Sequence, residues 1–264
     1  MATGKNIEQR SHITGFQEEI QSASVASHDK FMTWFDEARD ADAAYIRGAW
    51  DFSYHMALPL NGLLKSPEDC TALEIGHGGG RILAAASRHF RAVIGVDIHE
   101  RNDLVAAEHA ARGITNSVLY RGTGSNLPVG DASVDVVYSF IVLQHVEKFA
   151  IFRDYVCEAA RVLKPGGFAV LYFARWQWLS HLSRSYLLAA VDRFLESLRL
   201  REGYLEKPTV VNDINLIVSL GMAKTVVREA GFAIERSMIS RRRVPDHGDR
   251  FGAQHGLVLR RLGS

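Results

Sequence analysis

Leu73-Glu74-Ile75-Gly76-His77-Gly78-Gly79-Gly80-Arg81 is the stretch on which the reading of this chain turns. An apolar run carrying one acid enters the alternate glycines Gly76, Gly78 and Gly80, and an alanine-rich stretch over 82–89 follows with helical character. The order is strand, glycine loop, helix. Glycine suits such a loop because it adopts positive φ, and because without a Cβ the backbone can come close to a ligand. The helix that follows offers free N–H groups at its start. Nucleotide folds of several chemistries share this loop, so the next stretch matters. Residues 92–96 form a second apolar run that ends in Asp97, 21 residues past Gly76. That is where a ribose-binding acid belongs in a doubly wound sheet.

A pyrophosphate-binding loop spaces its glycines G-x-G-x-x-G. Here the pattern is E-x-G-x-G-x-G. Glu74 would repel a phosphate placed beside it and attract a cation. S-adenosylmethionine carries an ammonium and a sulfonium and no phosphate. On these residues the chain resembles the class I S-adenosylmethionine-dependent methyltransferases, well over about residues 70–175 and more loosely toward the C-terminus. The resemblance implies an α/β fold: a Rossmann-like, doubly wound, seven-stranded sheet with N-terminal helices and a helical cap inserted after strand five.

Periodicity places the elements. Strands are expected over 72–75, 92–97, 117–121, 134–139, 168–173, 232–240 and 255–262, and helices over 79–89, 101–112, 149–163 and 222–230. Strands alternating with helices mean a parallel sheet, with ligands at the carboxyl ends of the strands. Residues 1–58 are read as an N-terminal arm and lid helices. Residues 59–264 are read as the methyltransferase core, with the cap over about 174–211.

The resemblance assigns roles residue by residue. Glu74 would bind the amino-acid end of S-adenosylmethionine, with Gly76, His77, Gly78 and Gly80 passing beneath it. Asp97 would take the ribose hydroxyls, and Ile98 would border the adenine. In Gly122-Thr123-Gly124-Ser125-Asn126-Leu127-Pro128 the family usually has an acid where this chain has Thr123, so Thr123 and Gly124 are expected at the adenine edge without a charge. Asp135 falls at a structural position. Arg161-Val162-Leu163-Lys164-Pro165-Gly166-Gly167 is the family's helix-to-strand turn. Ser139 would sit near the methionine portion. In the segment that follows, His145 is the candidate base, since a histidine accepts a proton near neutral pH; packing or capping is its other reading.

Substrate contacts are expected from Tyr45 in the aromatic-rich stretch 29–58, and from Trp176, Trp178 and His181 where the cap begins. His55 reads as structural. The cap's apolar residues recur at helical spacing, as an element over the substrate entrance or as a homodimer contact. Residues 1–28 read as a mobile arm, or else as a helix that folds over the site. Arg241, Arg242 and Arg243 read as a solvated charge run, or else as a grip on a phosphate or carboxylate.

Composition bounds the function class. The 264 residues are 47% hydrophobic, enough for one sizeable α/β domain with additions. Thirty-one basic against 30 acidic residues give no general field for nucleic acid. Cys70 and Cys157 form neither a metal pattern nor a disulfide framework. No run is long enough to span a bilayer and the first 20 residues are polar, so a cytoplasmic protein is expected. No metal is expected, for want of a zinc motif or a close Asp/His cluster. The expected function is methyl transfer from S-adenosylmethionine, leaving S-adenosylhomocysteine, to a small or medium-sized acceptor through an O- or N-nucleophile. The alternatives are an NAD(P)-dependent Rossmann oxidoreductase and a non-catalytic, methyltransferase-like binding module.

Overall fold

A computed structural model describes residues 15–243 and 250–263. Four short N-terminal helices come first: α1 (Phe16–Ala26), α2 (His28–Trp34), α3 (Ala41–Phe52) and α4 (Leu58–Leu60). A π-helical turn, Ser53–Ala57, joins the last two. Pro59 explains the widening: it has no N–H to give residue 55, and its ring would crowd that carbonyl. The core then alternates: β1 (Thr71–Ile75), α5 (Arg81–Ala86), β2 (Ala92–Asp97), α6 (Asn102–Ala111), β3 (Ser117–Arg121), β4 (Val134–Ser139), α7 (Phe149–Val162) and β5 (Leu163–Ala174). After it come α8 (Tyr186–Arg199), β6 (Tyr204–Glu206), β7 (Leu216–Val218), α9 (Leu220–Glu229), β8 (Phe232–Arg241) and β9 (Phe251–Arg261).

The sheet runs β3-β2-β1-β4-β5, all parallel. β9 pairs antiparallel with β5 from Phe168↔Arg260 to Ala174↔Gln254, and β8 pairs antiparallel with β9. These are the seven expected strands. Two short ones, β6 and β7, bring the described sheet to nine; β7 touches β5 only at Ala174↔Ile217. Strand order reverses between β1, which feeds β2, and its other neighbour β4. A crevice therefore opens above their carboxyl ends. β4 is buried on both faces, with α7 packing Phe152, Val156 and Ala159 on one of them. Phe52, Met56, Tyr138 and Tyr172 fill the other.

Three elements differ from expectation. The helix after the glycine loop is shorter than 79–89, because Gly80 stands in the left-handed region (φ 76) as its N-cap. Residues 15–26 are no loose arm: α1 packs Phe16 and Ile20 against the body. Residues 1–14 lie outside the described residues. No helix among the described residues is long and apolar enough to cross a membrane.

The cap inverts its expected face. The residues α8 buries are Ala189, Asp192 and Glu196, while Tyr186, Leu187, Phe194 and Leu198 stay exposed. The two acids anchor it. Asp192 accepts from the Leu179 and Ser180 N–H groups and from the Ser180 hydroxyl. Glu196 meets buried His255 at 3.1 Å.

Candidate active site

The loop 76–80 is shaped by close approach on both sides. Gly76, Gly78 and Gly80 all have positive φ. A Cβ on Gly76 would strike Val142, and one on Gly78 would lie 2.8 Å from the Phe35 ring. The Gly78 N–H donates to Asp97 Oδ2 at 2.7 Å, and the Ile98 N–H donates to Oδ1 at 2.7 Å. Oδ1 also takes the His99 N–H at 3.4 Å, and Oδ2 keeps a second acceptor position. Burial works to raise the Asp97 pKa. His99, His77 and the N–H donors outweigh it and hold the carboxyl below its ordinary range.

Loop and acid border a cavity of about 120 Å³ together with Glu74, His77, Ile98, Gly122, Gly124 and His145. Arg81, Tyr155 and Asn212 also reach it, and Phe16, Ile20, Trp34 and Phe35 roof it. The volume is below the ~300–1,000 Å³ usual for small-molecule sites. A nucleoside-sized ligand therefore requires this roof to shift.

Glu74 is buried and accepts from the Tyr138 hydroxyl at 3.2 Å. Burial pushes its pKa up to about 8, against the opposing pull of Arg81. A cation bound beside it would favour the ionised form and drive that proton off. Binding of a cationic ligand at pH 7 is therefore expected to release up to about one proton, and affinity is expected to rise by up to about tenfold per unit between about pH 6 and 7.5. Calorimetry in buffers of different ionisation enthalpy checks this, with Glu74→Gln expected to release none; equal release from both proteins would remove Glu74 as the source.

The structure brings His77 and His99 beside Asp97, their ligand atoms all within 4.8 Å. This close Asp/His cluster is one the sequence did not suggest. Its ring nitrogens are engaged: His77 with the Gly78 carbonyl and the Asn102 side chain, His99 with the Gly78 carbonyl and the Arg101 N–H. Burial drives His77 down to about 4, so it is neutral at pH 7. Both rings thus hold the Gly78 carbonyl while Asp97 holds its N–H.

Several expected site residues stand elsewhere. Gly80 packs against Val105 and His109 behind the loop. Ser139 is fully buried, its hydroxyl donating to the Ile75 carbonyl. Thr123 points to solvent, while the backbones of Gly122 and Gly124 reach the cavity instead. Tyr45 donates to the Gly79 carbonyl at 3.0 Å with Arg112 over its ring, bracing the loop from outside. Trp176, Trp178 and His181 line neither this cavity nor the larger one beside it; the buried acids of α8 hold that segment at the sheet edge. His145 does face the cavity. Its Nδ1–H donates to the Asp213 carbonyl at 2.6 Å, and Nε2 accepts from the Gln144 amide at 3.2 Å. Burial holds its pKa below the ordinary value.

Trp34 and Phe35 belong to the aromatic stretch 29–58 read as lid helices, but neither was singled out, and Phe16, Ile20 and Asn212 were missed. Asn212 carried one local signal, a turn-prone residue at positive φ (61). The others contribute through tertiary placement alone.

Comparison with known proteins bears on the fold and on the core domain. Residues 73–171 match the family model described as methyltransferase domain. A demethylmenaquinone methyltransferase of Tropheryma whipplei is 34% identical over 95 residues, 36% of this chain and 38% of the relative. The match therefore spans well under half of that protein. A ubiquinone biosynthesis O-methyltransferase of Agrobacterium fabrum is 29% identical over 181 residues, 65% of this chain and 67% of the relative. The structure of an S-adenosylmethionine-dependent methyltransferase from Methanosarcina mazei superposes with TM-score 0.56 at 19% identity, covering 78% of this chain and 98% of that one. At that identity it speaks for the fold.

Proposed function

We propose that this chain is a class I S-adenosylmethionine-dependent methyltransferase that transfers a methyl group to a small-molecule acceptor, a reading supported by the match of residues 73–171 to the methyltransferase domain. The observation that carries this is Glu74 and Asp97 on one cavity, joined by a loop of left-handed glycines. Asp97 is held ionised, while Glu74 carries a proton near neutral pH and gives it up beside a cation; the pair suits a ligand with positive charge at one end and vicinal hydroxyls at the other. The lining cation, Arg81, is held on Asp51 at 2.6 Å and offsets only part of the effect of burial on Glu74. The donor set therefore fits S-adenosylmethionine.

Bound there, the cofactor would supply an electrophilic methyl on a sulfonium. The protein's part is to bind, orient and exclude water. Glu74 holds the ammonium end, Asp97 accepts from the ribose hydroxyls, and Ile98 with the Gly122 and Gly124 backbones borders the base. The aromatic roof keeps water from the reacting end. His145 stands at the acceptor side as a neutral imidazole; it acts as a base only once the Gln144 amide releases Nε2. The exposed apolar residues of α8 favour a contact between two copies over a role in holding the acceptor.

Calorimetric titration with S-adenosylmethionine, S-adenosylhomocysteine and NADH tests the proposal. Micromolar binding of the first two and none of NADH is the expected result. NADH binding in their place would overturn it.

A further inference from the structure

A second cavity, of about 510 Å³, shares Phe140 and Ile141 with the first. Its walls come from the turn before α3 and α3 itself, from the loop after β4, and from the β8–β9 hairpin. The shared wall is strained. Ile141 has φ 69, a left-handed conformation that a β-branched residue rarely adopts. Such strain persists only where the surroundings enforce it, typically at sites of function.

The polar groups of this cavity divide into satisfied and unsatisfied ones. Asp36 and Asp51 are answered: Arg81 meets Asp51 at 2.6 Å and Arg243 meets Asp36 at 3.1 Å. Arg47 donates to the Asp36 carbonyl. Glu37 is exposed at the rim. Arg241 and Arg242 line the cavity with no carboxylate at ion-pair distance among the described residues. The Arg241 backbone N–H donates to buried His55, which pins the end of β8 in place. Gln254 is only 4% exposed, and its side-chain Nε2 has no acceptor. Gln144 Oε1 is buried with no donor, while its Nε2 is engaged by His145.

Buried amide groups without partners are costly and uncommon, so a lining that gathers them points to a ligand. The unanswered groups have a pattern. Arg241, whose guanidinium lies 5.8 Å from the centroid of the Tyr54 ring and leaves its N–H groups free of any carboxylate among the described residues, offers donors together with Arg242 and Gln254, and the forked guanidinium suits a carboxylate or phosphate. Gln144, next to the shared wall, offers an acceptor.

We propose that this second cavity is the acceptor site and that it takes a small acid. The carboxylate or phosphate is held by Arg241, Arg242 and the Gln254 amide. A separate hydroxyl or N–H of the same molecule donates to Gln144 Oε1, which sets its lone pair at the Ile141 wall. On transfer that lone pair bonds the methyl carbon, the pair of the breaking S–C bond stays on sulfur and cancels its charge, and the acceptor's proton passes to water. The anion site itself stands on geometry alone; only its role as acceptor site rests on the methyltransferase reading.

The test uses the full chain and three probes: 3-hydroxybenzoate, 3-hydroxyphenyl phosphate and the uncharged methyl ester of the first. Binding is measured by calorimetry with and without S-adenosylhomocysteine. At least one acid is expected to bind while the ester does not, and the stronger of the two acids identifies the anionic group preferred. Arg241→Gln/Arg242→Gln is expected to weaken the acid by about tenfold or more, and Gln254→Leu by several-fold, with S-adenosylhomocysteine affinity and thermal midpoint unchanged. Failure of both acids to bind, or acid binding that survives the double substitution, would overturn the proposal. Loss of S-adenosylhomocysteine binding would count against the cofactor reading alone, so the two failures stay distinguishable.

Discussion

Asp97→Ala is expected to lower affinity for S-adenosylhomocysteine by at least about a hundredfold. The carboxylate is the best placed group of the first cavity to accept from vicinal hydroxyls, and hydrogen bonds to a charged acceptor contribute about 1.5–3 kcal/mol each. Two of them amount to about 3 kcal/mol or more, which is two decades in Kd. The same carboxylate already takes the Gly78 and Ile98 N–H groups at 2.7 Å, so the substitution also loosens the glycine loop. The two contributions separate experimentally. Asp97→Asn keeps one carbonyl oxygen and cannot repair both N–H contacts, and it is expected to fall between wild type and alanine. Amide exchange at Gly78 in the ligand-free protein reports loop release independently of the ligand. An Asp97→Ala protein that binds within about threefold of wild type would remove the ribose role assigned here.

What was legible in the sequence divides by the range of the interaction that creates it. β1, β2 and the glycine loop were readable because strand periodicity and positive φ are local requirements, met by residues 71–80 and 92–97 themselves. Asp97 was readable because strand length and crossover length fix its distance from Gly76. Glu74 was readable as a charge, but its shift to about 8 follows from its burial between the neighbouring strands β2 and β4. The cap misled for the opposite reason. Apolar residues at helical spacing predict a buried stripe, yet α8 turns Asp192 and Glu196 inward because Ser180, Arg175 and His255 wait there to partner them. No local rule contains that pairing. Arg241–Arg243 was likewise ambiguous as a run, and the structure separates it: Arg243 pairs with buried Asp36, while its two neighbours face the second cavity. Phe16 is the furthest case. It belongs to a polar N-terminal stretch, and only the packing of α1 carries its ring to 5.7 Å from His145.

The wall between the two cavities carries the largest stability effect expected of any single substitution. Arg81 is 8% exposed and stands between Asp51, 1% exposed, and Asp36, fully buried, at 2.6 Å and 3.7 Å. α3 lies so close that a Cβ on Gly48 would fall 2.6 Å from the Arg81 carbonyl carbon, so the backbone there cannot yield to admit water. Arg243 still answers Asp36 at 3.1 Å but comes no nearer than 3.9 Å to Asp51. Arg81→Met, a change of similar volume, therefore strands the Asp51 charge. Removing one partner of a buried pair costs about 3–5 kcal/mol, far more than the pair adds over an apolar replacement. Urea unfolding of the variant is expected to show that loss as a lower midpoint at unchanged slope. Arg81→Met/Asp51→Asn is expected to recover more than half of it, because the amide removes the unpaired charge and keeps the shape. A loss below about 1 kcal/mol, or a double variant no better than the single, would mean that water or Arg243 already answers Asp51. The wall would then be a solvated partition rather than the dry support that holds the cofactor cavity and the arginine-lined cavity in register.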